Sequence, residues 1–157
     1  RGVLYAGTMV TEEGIKTLEF NVRFGDPETQ AVLPLLENDI VEVMQAAVEC
    51  RLDEVTLQWK PRYSVCVVVA SGGYPGKYET GLPIEGLDEA AQVPECVVFH
   101  AGTRRDGDQV VTAGGRVLGV TALGDTLAQA RGRAYEAVRC IRFEYMHYRT
   151  DIGMKWV

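Results

Sequence analysis

Glu19, Asn21 and Arg23 stand two residues apart in the stretch TLEFNVRFGDPETQ, residues 17–30. Read with a period of two, they share one face of a strand, while Leu18, Phe20, Val22 and Phe24 take the other. Same-face neighbours lie roughly 6.5–7 Å apart along a strand, so the Glu19 carboxylate and the Asn21 amide oxygen could converge on one cation. Oxygen-only ligands suit magnesium or manganese rather than zinc. Arg23, one step further along, would meet phosphate oxygens through its planar fork. Gly25 frees the backbone to turn, and Asp26-Pro27-Glu28 reads as a helix start. Asp26 is the expected N-cap and Pro27 the first helical residue, with acidic groups where the helix dipole favours them. The same pattern also describes a solvated hairpin strand followed by a well-capped helix.

A second candidate is Gly114-Gly115-Arg116. Two glycines expose backbone N–H groups and Arg116 adds a fork, a natural cradle for a sugar phosphate. A glycine-rich turn with a surface arginine fits the same residues. Ser71-Gly72-Gly73-Tyr74-Pro75-Gly76-Lys77 invites a phosphate-loop reading but fails it. The motif needs glycine at Ser71 and Ser or Thr at Tyr78, and no helical period follows, so a turn is expected. His100 reads as a hydrogen-bonded packing residue, and His147 has no recognisable partner in the sequence. The four cysteines (Cys50, Cys66, Cys96, Cys140) have no C-x-x-C pair and read as reduced, packed thiols.

The run Arg23-Phe24-Gly25-Asp26-Pro27-Glu28-Thr29-Gln30 resembles the signature octapeptide of the glycinamide ribonucleotide synthetase (phosphoribosylamine–glycine ligase) family. Leu18-Glu19-Phe20-Asn21 resembles that family's metal-binding strand, and the likeness continues through Gly81, Ile84, Gly86 and Leu87 towards the C-terminus. The resemblance implies an ATP-grasp enzyme that joins glycine to 5-phosphoribosylamine, with ATP as co-substrate and glycyl phosphate as intermediate. It implies that Glu19 and Asn21 hold Mg2+ or Mn2+, with Arg23 near the transferred phosphoryl group. It further implies that Asp26, Pro27 and Glu28 meet the amine substrates, while Gly114, Gly115 and Arg116 help bind phosphoribosylamine. The adenine pocket and phosphate-holding lysines of such an enzyme are not found here: Lys16, Lys60, Lys77 and Lys155 form no phosphate-binding pattern. The chain also opens on a strand without a start methionine. It is therefore expected to be the C-terminal portion of a longer enzyme, to depend on the remainder of that enzyme, and to be inactive alone. Two other readings stand: another ATP-grasp ligase, or a non-catalytic binding or interface module.

The elements that must position these residues follow from pattern. Val3 to Val10 and Ile15 to Phe24 form a hairpin around Glu12-Glu13-Gly14. A helix from Pro27 to about Leu36 is interrupted near Pro34, and Asn38 caps a second carrying Ile40, Val43, Met44 and Ala47. Tyr63 to Ala70, Cys96 to Ala101, Gln109 to Thr112 and Val117 to Ala122 read as strands, with Asp106-Gly107 as a turn pair. Asp125 or Thr126 caps a long helix whose Leu127, Ala130, Ala134, Val138 and Ile141 share a face. Arg131, Arg133 and Arg139 fall off that stripe, onto a solvated face. Segregated strands and helices imply an α+β fold. The expected domains are 1–52, closing an ATP-grasp domain, a linker over 53–62, and a C-terminal domain over 63–157. With 157 residues, 46% hydrophobic and 24% charged, the composition is that of an ordinary globular protein. A net charge of -6 argues against nucleic-acid or anionic-membrane partners. No apolar run reaches the roughly 20 residues of a membrane span, and no signal-peptide layout is seen, so a cytoplasmic location is expected.

Overall fold

The computed structural model describes residues 1–156, which form two compact units, one ending at Lys60 and one beginning at Pro61. Both combine helices with antiparallel strands, the α+β class expected from the sequence.

In the first unit β1 (Tyr5–Thr11) pairs antiparallel with β2 (Gly14–Asn21). The return strand therefore ends at Asn21 rather than Phe24. Asn21 is opposite Tyr5, the first residue of β1, so residues 22–24 have no strand to pair with. Glu19 faces Gly7 whereas Thr17 faces Thr8, which leaves Leu18 as the extra residue of a β-bulge and breaks the strict alternation. The apolar side of the hairpin is bare: Val10, Ile15, Phe20 and Val22 are each more than 60% exposed.

Beyond the hairpin, α1 (Glu28–Val32) passes into a 3-10 turn over Leu33–Leu35, where Pro34 lacks the N–H an α-helix would use. Pro27, not Asp26, occupies the cap position, and no side chain caps this helix. The Asp26 carboxylate instead accepts from Gln30 Nε2 at 2.9 Å. The cap of α2 (Ile40–Val48) is Asp39 rather than Asn38, its carboxylate accepting from Val41 N at 2.8 Å. Asn38 is engaged elsewhere, accepting from Gln58 N and donating to Thr56 O. With Lys60 N donating to Leu35 O, these bonds tie residues 56–60 into the first unit.

The second unit is built on β3 (Tyr63–Ala70), a valine-rich strand with Val65, Val67 and Val69 buried. After a short α3 (Leu87–Ala90) come β4 (Cys96–His100), β5 (Thr103–Asp106), β6 (Gln109–Thr112) and β7 (Arg116–Gly124). A long α4 (Leu127–Cys140) and a short β8 (His147–Tyr148) follow. The sheet order is β4-β7-β3-β8, all antiparallel, with β5-β6 a separate hairpin. Central β7 is buried from Val117 to Gly124. Ala130, Ala134, Ala137, Val138 and Ile141 of α4 belong to the same core. Small residues let that helix lie close to the sheet; at Gly124 a side chain would strike the backbone of Ala130.

Two expectations for this unit are corrected, and the α4 cap is decided between its two candidates. Asp106 pairs with Gln109, so the turn pair is Gly107-Asp108, with Gly107 taking the positive φ of 59° at its first position. Thr126 caps α4, its hydroxyl accepting from Gln129 N at 3.2 Å. Arg131 is not merely solvated. It donates to Ile152 O and Thr150 O, with its guanidinium 4.7 Å from the Tyr135 ring centre, and Arg133 donates to Leu123 O. The long side chains thus tether backbone that the helical stripe does not reach. His100 accepts or donates through Nδ1 at 3.0 Å from Thr103 Oγ1, and His147 pairs with Ala70 in the sheet. After β8 the described chain closes with a 3-10 turn over Met154–Trp156; Val157 lies outside the described residues.

None of the four cysteines forms a disulfide among the described residues, but they are not uniformly packed: Cys50 is exposed and the others are half-buried. Burial, with the neighbouring Cys140 adding to it, pushes the Cys96 thiol up to about 11. Because the thiolate is the nucleophile, iodoacetamide at pH 8 is expected to label Cys50 at least ~10-fold faster than Cys96. Peptide mass spectrometry after short exposures checks this; equal rates would contradict the packing around Cys96.

Candidate functional site

The hairpin register puts Tyr5 and Gly7 of β1 on the same face as Glu19 and Asn21 of β2. Gly7 is buried, and a side chain there would press on the stem of Glu19 and the ring of Tyr5. Asn21 Nδ2 donates to Glu19 Oε1 at 3.0 Å, so the two head groups converge. Rotating the Asn21 amide by half a turn presents its oxygen beside the carboxylate. Such a pair fits a hard divalent cation, which takes oxygen ligands and keeps positions for water and phosphate. It supplies two ligands only: among the described residues no three His, Cys, Asp or Glu side chains gather as a metal cage.

Arg23 does not extend this face as the period predicted. It lies beyond the end of β2, and its Nη1 donates to Phe24 O at 2.9 Å. The main chain then turns at buried Gly25, whose carbonyl accepts from both the N–H and the hydroxyl of Thr29. That turn carries Asp26 and Pro27 and places Glu28 at the start of α1. Glu28 folds back over Gly25, where any side chain would collide with its Oε2. Its Oε1 accepts from Tyr5 Oη at 3.1 Å. This bond raises the Tyr5 phenol above its ordinary range; burial and the negative charges of Glu28 and Glu19 add to it, and Arg23 opposes them. Tyr5, Phe24, Gly25, Glu28, Thr29 and Val32 line a cavity of about 210 Å³.

Tyr5 is the member that pattern reading missed. Its residue type carries a signal, an aromatic hydroxyl at the start of a strand, but its partner is 23 positions away.

In the second unit Gly114 and Gly115 form the turn from β6 into β7, and Arg116 opens β7 as an exposed residue. The buried Ser71 fixes this turn: its hydroxyl donates to Gly114 O and its N–H to Gly115 O, both at 2.8 Å. Gly114 packs against Gly102, and the Tyr74 ring lies where a side chain on Gly115 would be. Both glycines are thus needed for close approach, and the Ser71–Lys77 stretch is a turn supporting them. Tyr78, tilted against Tyr74 at 6.2 Å, lines a cavity of about 360 Å³ with Lys77, Glu79 and Tyr145.

Comparison with known proteins gives these two regions a common class. Residues 1–29 match the family model described as phosphoribosylglycinamide synthetase, ATP-grasp (A) domain, and residues 64–155 match its C domain. The chain belongs to the phosphoribosylglycinamide synthetase family. It is 56% identical over 157 residues to the phosphoribosylamine–glycine ligase of Synechocystis sp., covering 99% of this chain and 37% of that protein. Against the same enzyme of Rhodopirellula baltica it is 53% identical, covering 99% of this chain and 36% of the relative. The crystal structure of phosphoribosylamine–glycine ligase from Thermotoga maritima superposes with a TM-score of 0.75 at 33% identity. That match covers 95% of this chain and 36% of the solved one. The chain thus spans little more than a third of the length of its curated relatives.

Proposed function

We propose that this chain is the C-terminal portion of a phosphoribosylamine–glycine ligase of purine biosynthesis, working in the cytoplasm. ATP would drive the joining of glycine to 5-phosphoribosylamine, giving glycinamide ribonucleotide, ADP and phosphate. The observation that carries this reading is the convergence of Glu19 and Asn21 on the strand that leads through Gly25 to Glu28.

In this reading residues 1–52 close an ATP-grasp domain, 53–62 join it to the next, and residues from 63 onward form the C-terminal domain. The bare apolar side of the hairpin supports it, since such a face calls for further chain to cover it. Glu19 and Asn21 would hold Mg2+ or Mn2+, which when bound neutralises phosphate oxygens. Arg23 would sit near the transferred phosphoryl group and share that neutralisation. Glycine's carboxylate oxygen attacks the γ-phosphorus as the bond to ADP breaks. The amine nitrogen then attacks the acyl carbon of glycyl phosphate, phosphate leaves, and the nitrogen loses a proton. Asp26 and Glu28, with Pro27 fixing the turn between them, would hold the amino groups of glycine and phosphoribosylamine. Gly114, Gly115 and Arg116 would hold the ribose phosphate.

The test compares the full-length parent with this chain, following ADP and glycinamide ribonucleotide with time. The parent is expected to form both in equal amounts, dependent on glycine and phosphoribosylamine; this chain alone is expected to form neither. A parent that hydrolyses ATP with a different amine or acid and ignores these two would overturn the reading.

A further inference from the structure

We infer that Tyr5 is a positioning residue, whose hydroxyl holds the Glu28 carboxylate in the orientation that receives a substrate ammonium group. This deepens the proposed function and rests on its placement of Glu28 beside an amine.

Glu28 is exposed at the start of a helix of five residues, where a long side chain has many rotamers open to it. Two neighbours remove that freedom. Tyr5 Oη donates to Oε1 at 3.1 Å, and Oε2 lies over the buried, side-chain-free Gly25. A carboxylate has about four acceptor sites, so one bond from Tyr5 leaves room for an ammonium donor. Tyr5 is itself fixed. It pairs with Asn21 through the backbone, and its ring packs where Gly7 leaves space. The donor therefore sits on the hairpin that carries Glu19 and Asn21, while the acceptor sits on the turn after it. One hydrogen bond thus sets the metal-side pair and the amine-side acid in fixed relation. The hydroxyl also lies within the electrostatic reach of Glu19 and Arg23. A phenylalanine would fill the same space and pack the same way. What the tyrosine adds is the bond to Glu28.

The test uses the full-length parent with Tyr5→Phe, Glu28→Gln and the two combined, measuring KM for ATP, glycine and phosphoribosylamine. A hydrogen bond to a charged group corresponds to roughly 10-fold or more in affinity. Tyr5→Phe is expected to raise the KM of one amine substrate about 10-fold, leaving the ATP KM and the melting temperature unchanged. In the Glu28→Gln background the same change is expected to fall below about twofold, because the positioned group is gone. Amine KM values unmoved by Tyr5→Phe but raised by Glu28→Gln would overturn the positioning role and leave the proposed function standing. Effects that simply multiply in the double variant would do the same. A loss spread equally over ATP and amine, with a lower melting temperature, would make Tyr5 structural and also overturn it. A Glu28→Gln enzyme with unchanged amine KM values would remove the reading of Glu28, and the inference with it.

Discussion

Glu19→Ala in the full-length parent is expected to lower kcat by about 10²–10³-fold, the scale for removing one preorganised stabiliser of developing charge. The hairpin does not need this side chain for stability. Glu19 is exposed on its strand, and its side chain bonds to half-buried Asn21 of the same strand. Surface substitutions of this kind stay within about 0.5 kcal/mol. Loss of turnover with an unchanged melting curve is therefore the signature to look for. Glu19→Gln keeps an oxygen but removes the charge, which weakens a hard-cation site without abolishing it. Its kcat is expected to lie between those of parent and alanine variant and to recover in part as Mg2+ is raised at fixed ATP. Phosphate release measured across a Mg2+ series distinguishes these cases. An alanine variant within about threefold of the parent, at any Mg2+ level, would sink the assignment of Glu19 to the cation.

How far these residues can be seen without coordinates depends on the range of the interaction that places them. Glu19 and Asn21 are neighbours because a strand repeats every two residues, a local rule that the text of the sequence displays. Arg23 obeys the same rule on paper, but β1 supplies no partner beyond Tyr5, so the strand stops first. The bulge at Leu18 is likewise a property of the pair of strands and not of either alone. Tyr63–Ala70 was legible to the residue because a valine-rich run has one comfortable conformation. The α4 stripe was legible for the same kind of reason. The α2 cap slipped by one position because neighbouring Asn and Asp compete for the same local role. Asn38 lost to Asp39 when Gln58, twenty residues away, took its oxygen. Tyr5 and Glu28 meet across 23 residues and leave no periodic trace. The Glu19–Asn21 pair is written locally; the bond between Tyr5 and Glu28 is a product of folding.

The same distinction, local rule against tertiary contact, predicts which glycine the second unit can least spare. Gly86 has φ +79°, and a Cβ there would fall on the carbonyl oxygen of Cys140, the last residue of α4. Around it, Glu85 and Arg142 exchange backbone bonds of 2.8 and 3.0 Å, and Ala90 N donates to Gly86 O at 3.0 Å. Ala90 and Ile141 are fully buried beside this junction. A methyl group at 86 must therefore move the start of α3 or the end of α4, and neither shift is available without opening the core. Gly86→Ala is expected to cost about 3–5 kcal/mol, in the range reserved for backbone and packing conflicts. In a domain of this size that lowers the melting temperature by about 12–40 °C. Gly107→Ala is the control. Its φ is also positive, at +59°, but nothing lies within 4 Å of the added methyl. It should therefore carry only the conformational penalty of about 1 kcal/mol. Calorimetry on both variants separates the two terms. If Gly86→Ala melts no lower than Gly107→Ala, the close approach of α3 to the end of α4 is wrong, and the core drawn from it must be redrawn.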